Sequence, residues 1–149
     1  MTKKKTNGEK LIKSKQRVKD FAEVYTPSWL VKDMCDLVKD ECERIDSRFL
    51  EPACGNGNFL VEIAARKFAV CKTPKDGLKA LTSIVGIDIQ ADNCRESRAR
   101  LLNLYKEAFP TANAFCLMLA GLILQNNIIC GDSLKIMAGW AEENEKERK

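Results

Sequence analysis

The stretch FLEPACGNGNF, residues 49–59, constrains the fold more than any other. An apolar pair runs into Glu51 and Pro52, a loop with Gly55 and Gly57 follows, and NFLVEIAARKFAV resumes at helical spacing. A strand cut short by proline and re-entering through glycines as a helix is the start of a strand–helix–strand unit. Two further β-branched or apolar runs, SIVGIDI at 83–89 and NIIC at 127–130, stop on or just before an acid. Strands alternating with helices predict an α/β chain with a parallel sheet and crossover helices.

The remaining pattern fills in that plan. A helix is expected over 27–44, with Thr26 as N-cap, Pro27 in the first turn and Leu30, Met34, Leu37 and Val38 at helical spacing. The glycine-loop helix should bury Phe59, Leu60, Ile63 and Ala64. A loop over 72–77 leads to a short helix ending at Thr82. A helix over 91–108 is stopped by Pro110, with Arg95, Arg98 and Arg100 facing solvent. The apolar run AFCLMLAGLIL, residues 114–124, reads as a buried helix, and the chain after Ser133 as weakly helical. The expected organisation is a basic tail over 1–20, a partial domain over 21–138 and a charged tail over 139–149, with no internal repeat.

Composition removes several function classes. Seven cysteines without a C-x-x-C pair argue against a zinc site, and their odd number and spread argue against a disulfide framework. Reduced, mostly buried thiols in a cytoplasmic protein are expected. There is no histidine, so the commonest general base is missing. The 114–124 run is too short to span a bilayer, and no apolar signal region follows the basic N-terminus. Net charge is only +4, but residues 3–19 hold Lys3, Lys4, Lys5, Lys10, Lys13, Lys15, Arg17 and Lys19 against Glu9 alone. That segment reads either as a solvated tail or as an arm for a nucleic-acid backbone.

The glycine loop is not a phosphate loop. A dinucleotide fingerprint needs a third glycine where Leu60 stands, and no G-K-[ST] exists. Instead Glu51, Asp88 and Asp132 fall at or just past the ends of the three strands, where open α/β sheets bind ligands. Carboxylates there repel pyrophosphate. They suit a ligand with positive charge, ribose hydroxyls and an exocyclic amine, which S-adenosylmethionine combines. Each acid also has a plainer reading: Asp88 as a helix cap, Asp132 as a turn residue, Glu51 as a surface carboxylate.

EVYTPSWLVKDM, FLEPACGNGNFL, IVGIDI and IICGDSL occur in that order. Together they resemble the cofactor-binding half of DNA adenine-N6 methyltransferases of restriction–modification systems, over roughly residues 20–137. The resemblance implies a partial Rossmann-like S-adenosylmethionine-dependent methyltransferase fold. It also implies roles. Tyr25, Thr26 and Pro27 would close over the methionine end of the cofactor, and Glu51 would sit near its ammonium. Pro52, Ala53, Cys54, Gly55, Gly57 and Phe59 would belong to the loop and helix start beside it. Asp88 would take the ribose hydroxyls, Ile89 the adenine face and Asp132 the adenine amine, with Ser133 capping the next turn. Cys54 has no histidine to activate it and is expected to pack.

One part of that family's pattern has no counterpart. A catalytic [NDS]-P-P-[YFW] stretch would follow one strand later, yet prolines occur only at 27, 52, 74 and 110. No catalytic residue is assigned, and the 48–51 strand is expected to show an open edge. The leading reading is a cofactor-binding portion that needs a downstream polypeptide. The others are a non-catalytic module that binds cofactor, a partner or a second copy of itself, and a methyltransferase for RNA or a small molecule.

Overall fold

The computed structural model of the protein describes residues 8–148. In chain order its elements are α1 (Lys15–Phe21), α2 (Ser28–Asp36), α3 (Lys39–Cys42), β1 (Phe49–Glu51), α4 (Asn58–Val70) and α5 (Pro74–Thr82). They continue with β2 (Ile84–Asp88), α6 (Ala91–Ala108), α7 (Ala114–Asn127), β3 (Ile128–Cys130) and α8 (Ser133–Glu147). The three strands are parallel in the order β1-β2-β3. The fold class is therefore α/β, as expected, and compatible with part of a Rossmann-like domain.

The strand register sets the position of the acids. Phe49 lies beside Ile84 and Glu51 beside Gly86, while Asp88 lies beside Cys130. Glu51 and Asp88 thus end adjacent strands on one edge of the sheet. The outer side of β1 has no partner strand among the described residues. The Phe49 N–H donates to Ser83 O at 2.8 Å, toward β2, so the alternation of a strand turns the Leu50 amide and carbonyl outward. Leu50 itself is 47% exposed. The segment after residue 114 extends the sheet only on the β2 side, through β3.

Close packing of α4 on the sheet is achieved from the strand. Leu60, in the place of a third loop glycine, is fully buried against Gly86 of β2. A Cβ on Gly86 would come within 2.6 Å of Leu60 Cδ1. Leu60 therefore does not hold the helix off the sheet, because the glycine that permits close packing stands on the strand instead of on the helix. At the far end of α4, Lys67 is fully buried and donates to the carbonyls of Arg44, Ile45 and Ser47, fastening the chain just before β1.

Several expectations need correction. The 27–44 helix is two helices, α2 and α3, separated at Leu37–Val38. The buried face of α2 is Val31 and Cys35, whereas Met34, Leu37 and Val38 are exposed. Pro27 is the N-cap, no side chain of its own helix start caps α2, and the Ser28 amide donates to the Glu9 carboxylate. The helix before β2 starts earlier than expected, because Thr73 and Asp76 form a reciprocal capping box. Phe59 is only half-buried. The 114–124 helix is not buried all round: Ala120 and Leu124 are inside, while Phe115, Met118 and Leu122 are exposed. All seven cysteines are free thiols; Cys35, Cys42, Cys54 and Cys94 are buried, and Cys130 is exposed. Among the described residues no helix is long and apolar enough to cross a membrane.

Candidate functional site

Above the carboxyl ends of the strands lies a cleft of about 480 Å³. That volume is in the range of small-molecule sites. Its floor is the glycine loop, its walls are the turns after β2 and β3, and its cover is the segment 21–26. Of the residues the sequence proposed, Tyr25, Thr26, Glu51, Pro52, Ala53, Cys54, Gly55, Phe59, Asp88, Ile89, Asp132 and Ser133 all line it. Pro27 and Gly57 do not. Pro27 begins α2 behind the wall, and Gly57 serves the loop's geometry.

Gly57 has φ +88°, which side chains rarely adopt, and a Cβ there would meet Ser97 Oγ at 2.8 Å. The glycine is required twice, for its torsion and for its lack of bulk. Helix α6 then holds the loop from beneath with three side chains at i, i+4 and i+7. Asn93 donates to Asp88 Oδ1 at 3.2 Å, Ser97 Oγ donates to Gly55 O at 3.0 Å, and Arg100 donates to Asn56 O at 2.7 Å and to Asn58 Oδ1 at 2.8 Å. Arg98 also turns inward, onto Ile128 O. Arg98 and Arg100 are thus structural donors and not solvent-facing charges. The Asn93–Ser97–Arg100 spacing was the available signal, since polar residues one turn apart share a helix face.

Asp88 is no helix cap; Gln90 occupies the N-cap of α6. Its carboxylate instead accepts from Gly55 N at 2.9 Å and from Gln90 N at 2.8 Å, besides Asn93. Asp132 does cap, taking the α8 amides of Leu134 and Lys135 on Oδ1, so the cap is Asp132 and not Ser133. Ile89 stands 58% exposed at the mouth, with Phe21, Val24 and Leu134 also exposed on the rim. Tyr25 is buried, packs its ring on Gly55 and donates its hydroxyl to Asn93 Oδ1 at 2.8 Å. The Thr26 carbonyl accepts from Asn58 Nδ2 at 2.9 Å, tying the cover to the start of α4.

Hydrogen-bond acceptors dominate the lining. Glu23, Glu51, Asp88 and Asp132 face or flank the cleft, and among the described residues no lysine or arginine lines it. The buried Oδ1 of Asn56 has no hydrogen-bond partner among the described residues. Burial raises the Glu51 carboxyl above its ordinary range, opposed only by the Ala53 amide. Burial, and next the Asp88 charge, push the Cys54 thiol up to about 12, so it is a packed thiol and not a nucleophile. No cluster suited to a metal ion occurs among the described residues.

The raised Glu51 carboxyl has a measurable consequence. A carboxyl raised by the fold favours the native state in its protonated form, and that contribution is lost as pH rises through its folded pKa. Glu51→Gln should therefore raise the thermal midpoint at pH 7–8, by on the order of a degree or two, and not near pH 4. Melting curves at both pH values check this; equal shifts at both would remove the electrostatic cause.

Comparison with known proteins finds similarity over part of the chain. An 80-residue segment is 34% identical to the Type II methyltransferase M.VspI of Vibrio sp. (strain 343). The match takes in 54% of this chain and 16% of the relative's length. No family model matches, and no solved structure matches. Over that segment the chain is related to a methyltransferase.

Proposed function

We propose that this chain is the S-adenosylmethionine-binding portion of a DNA adenine-N6 methyltransferase of the restriction–modification type, dependent on a further segment for methyl transfer. The observation that carries the reading is the cleft's excess of acceptors over strand ends, with no basic side chain among the described residues of its lining. A phosphate-bearing cofactor would find no positive partner there. S-adenosylmethionine brings donors and positive charge, and when bound it supplies an electrophilic methyl group. Glu51 and the orphaned Asn56 Oδ1 suit its cationic amino-acid end. Asp88 retains acceptor capacity for a ribose hydroxyl, and Ile89 offers an apolar face to the purine. Both capping bonds of Asp132 fall on Oδ1, leaving Oδ2 for an exocyclic amine.

Calorimetry with S-adenosylmethionine and S-adenosylhomocysteine tests this. Binding in the micromolar to sub-millimolar range is expected; none up to millimolar ligand would sink the assignment. A second reading, a module that binds cofactor or a partner without catalysis, draws on the unpaired outer edge of β1. The two part company when the downstream gene product is added, because only the first predicts that activity then appears.

The DNA arm needs revision. Lys13 pairs with Asp92 and Glu96, both at 2.9 Å, and Arg17 with Asp92 and Glu23, both at 2.6 Å. Those two cations are committed within the chain, while Lys10, Lys15 and Lys19 are exposed. Lys3, Lys4 and Lys5 lie outside the described residues. If four to six of the remaining lysines contact phosphates, the log–log slope of duplex binding against salt should be roughly −4 to −5. Deleting residues 2–5 should flatten it, and a slope near zero would leave no role for the arm.

A further inference from the structure

Asn93 lies outside the cleft, is fully buried, and makes four side-chain hydrogen bonds. Its Oδ1 accepts from Tyr25 Oη and from Lys13 Nζ, each at 2.8 Å. Its Nδ2 donates to Glu23 Oε2 at 2.8 Å and to Asp88 Oδ1 at 3.2 Å. The amide's orientation is forced, since an ammonium can only donate and carboxylates can only accept. Three of the four partners belong to the segment 11–26, whose residues 21–26 cover the cleft; the fourth is the acid that ends β2. The strap is also fastened by Arg17, which bridges Asp92 and Glu23, by Lys13 on Asp92 and Glu96, and by Asn58 on Thr26 O, while within it the Tyr25 amide donates to Leu11 O at 2.7 Å.

We propose that Asn93 is a positioning residue that makes closure of the 11–26 strap and orientation of Asp88 a single equilibrium, so that a ligand held by Asp88 also holds the strap shut. Only asparagine meets the requirement at this point. Aspartate has the right size but would set a third carboxylate against Glu23 and Asp88. Leucine has the right volume but would remove one hydrogen bond each from Lys13, the Tyr25 hydroxyl, Glu23 and Asp88, and with them the link between strap and acid. Linkage then fixes the consequence: the ligand protects the strap by the factor by which closure strengthens the ligand, and a looser strap weakens the ligand in proportion to the closed fraction it loses. The ligand half of this inference rests on the cofactor reading; the strap half does not.

The experiment compares the full chain with Asn93→Leu, Asn93→Asp and Tyr25→Phe, each checked for folding by circular dichroism. The first readout, without ligand, is hydrogen exchange of the Tyr25 amide relative to the α4 core. The second is calorimetric affinity for S-adenosylhomocysteine. Asn93→Leu is expected to speed strap exchange at least tenfold while α4 exchange stays put, and to weaken affinity, because Asp88 loses a positioning donor and the closed fraction falls. Asn93→Asp should behave likewise at pH 8 and recover toward wild type at pH 6. There the new carboxyl, surrounded by Glu23, Asp88, Asp92 and Glu96 against Lys13 and Arg17, takes up a proton and donates again. Asn93→Leu should show no such recovery. A folded Asn93→Leu with wild-type strap exchange, or an Asn93→Asp defect that ignores pH, overturns the proposal. Should Asn93→Leu fail to fold, Tyr25→Phe decides, because it removes one hydroxyl only: unchanged strap exchange in it also overturns the proposal. Absence of ligand binding by the wild type would refute the cofactor reading, and the exchange readout would still judge the strap.

Discussion

The 149-residue chain, incubated alone with duplex DNA and radiolabelled S-adenosylmethionine, should incorporate no label above background. The adenine amine is a poor nucleophile because its lone pair is delocalised into the ring. Methyl transfer to it needs a polar acceptor, a carbonyl and a stacking ring to set that amine against the methyl group. Positioning of this kind lowers a barrier by about 7–11 kcal/mol. Extruding the base costs a few kcal/mol more, which a stacking ring helps to offset. After Asp132 this chain offers α8, whose sequence SLKIMAGWAEENEKE contains Trp140 and no proline. Among the described residues the outer edge of β1, next to the cleft, carries no strand that would deliver such groups. Addition of the downstream gene product should raise incorporation by several orders of magnitude. Robust incorporation by the isolated chain would mean that the reacting groups already lie in the cleft.

What the sequence revealed and what it hid have physical causes. The glycine-loop helix and the 91–108 helix agree end for end with α4 and α6 because each has clear local boundaries. A glycine in the left-handed region precedes α4, and Pro110 follows α6. The three acids gathered at one cleft because strand ends are set by short apolar runs that stop abruptly. The face of α7 was not legible, since a helix apolar on every side carries no periodicity to orient it. The phase of α2 failed for a related reason: Cys35 competes with Met34 and Val38 for the inside, and only packing on α4 decides. The strap over 11–26 was hidden because its bonds run to residues 75–80 positions away, where no local pattern reaches. The same is true of Gly86, whose meaning appears only once Leu60 is seen against it.

Asp88→Ala should both loosen the fold and abolish ligand binding. The carboxylate accepts from Gly55 N, Gln90 N and Asn93 Nδ2, so it joins the glycine loop, the start of α6 and the strap hub in one place. Hydrogen bonds to a charged acceptor contribute about 1.5–3 kcal/mol each, less where freed donors reach water. Half-exposure of this site and non-additivity bring the expected loss of stability to about 2–4 kcal/mol by urea denaturation. Ligand affinity should fall at least about 100-fold, through loss of the ribose contacts and of the loop's set geometry. Asp88→Asn separates these effects. It keeps the shape and one acceptor oxygen but turns an NH₂ toward a donor, so part of the stability should return while affinity stays low. A stable Asp88→Ala chain would show that the loop holds itself, through Ser97 and Arg100. A destabilised chain with wild-type affinity would move the ribose contact to another acceptor in the cleft, and Glu51 and Asn56 would be the next residues to substitute.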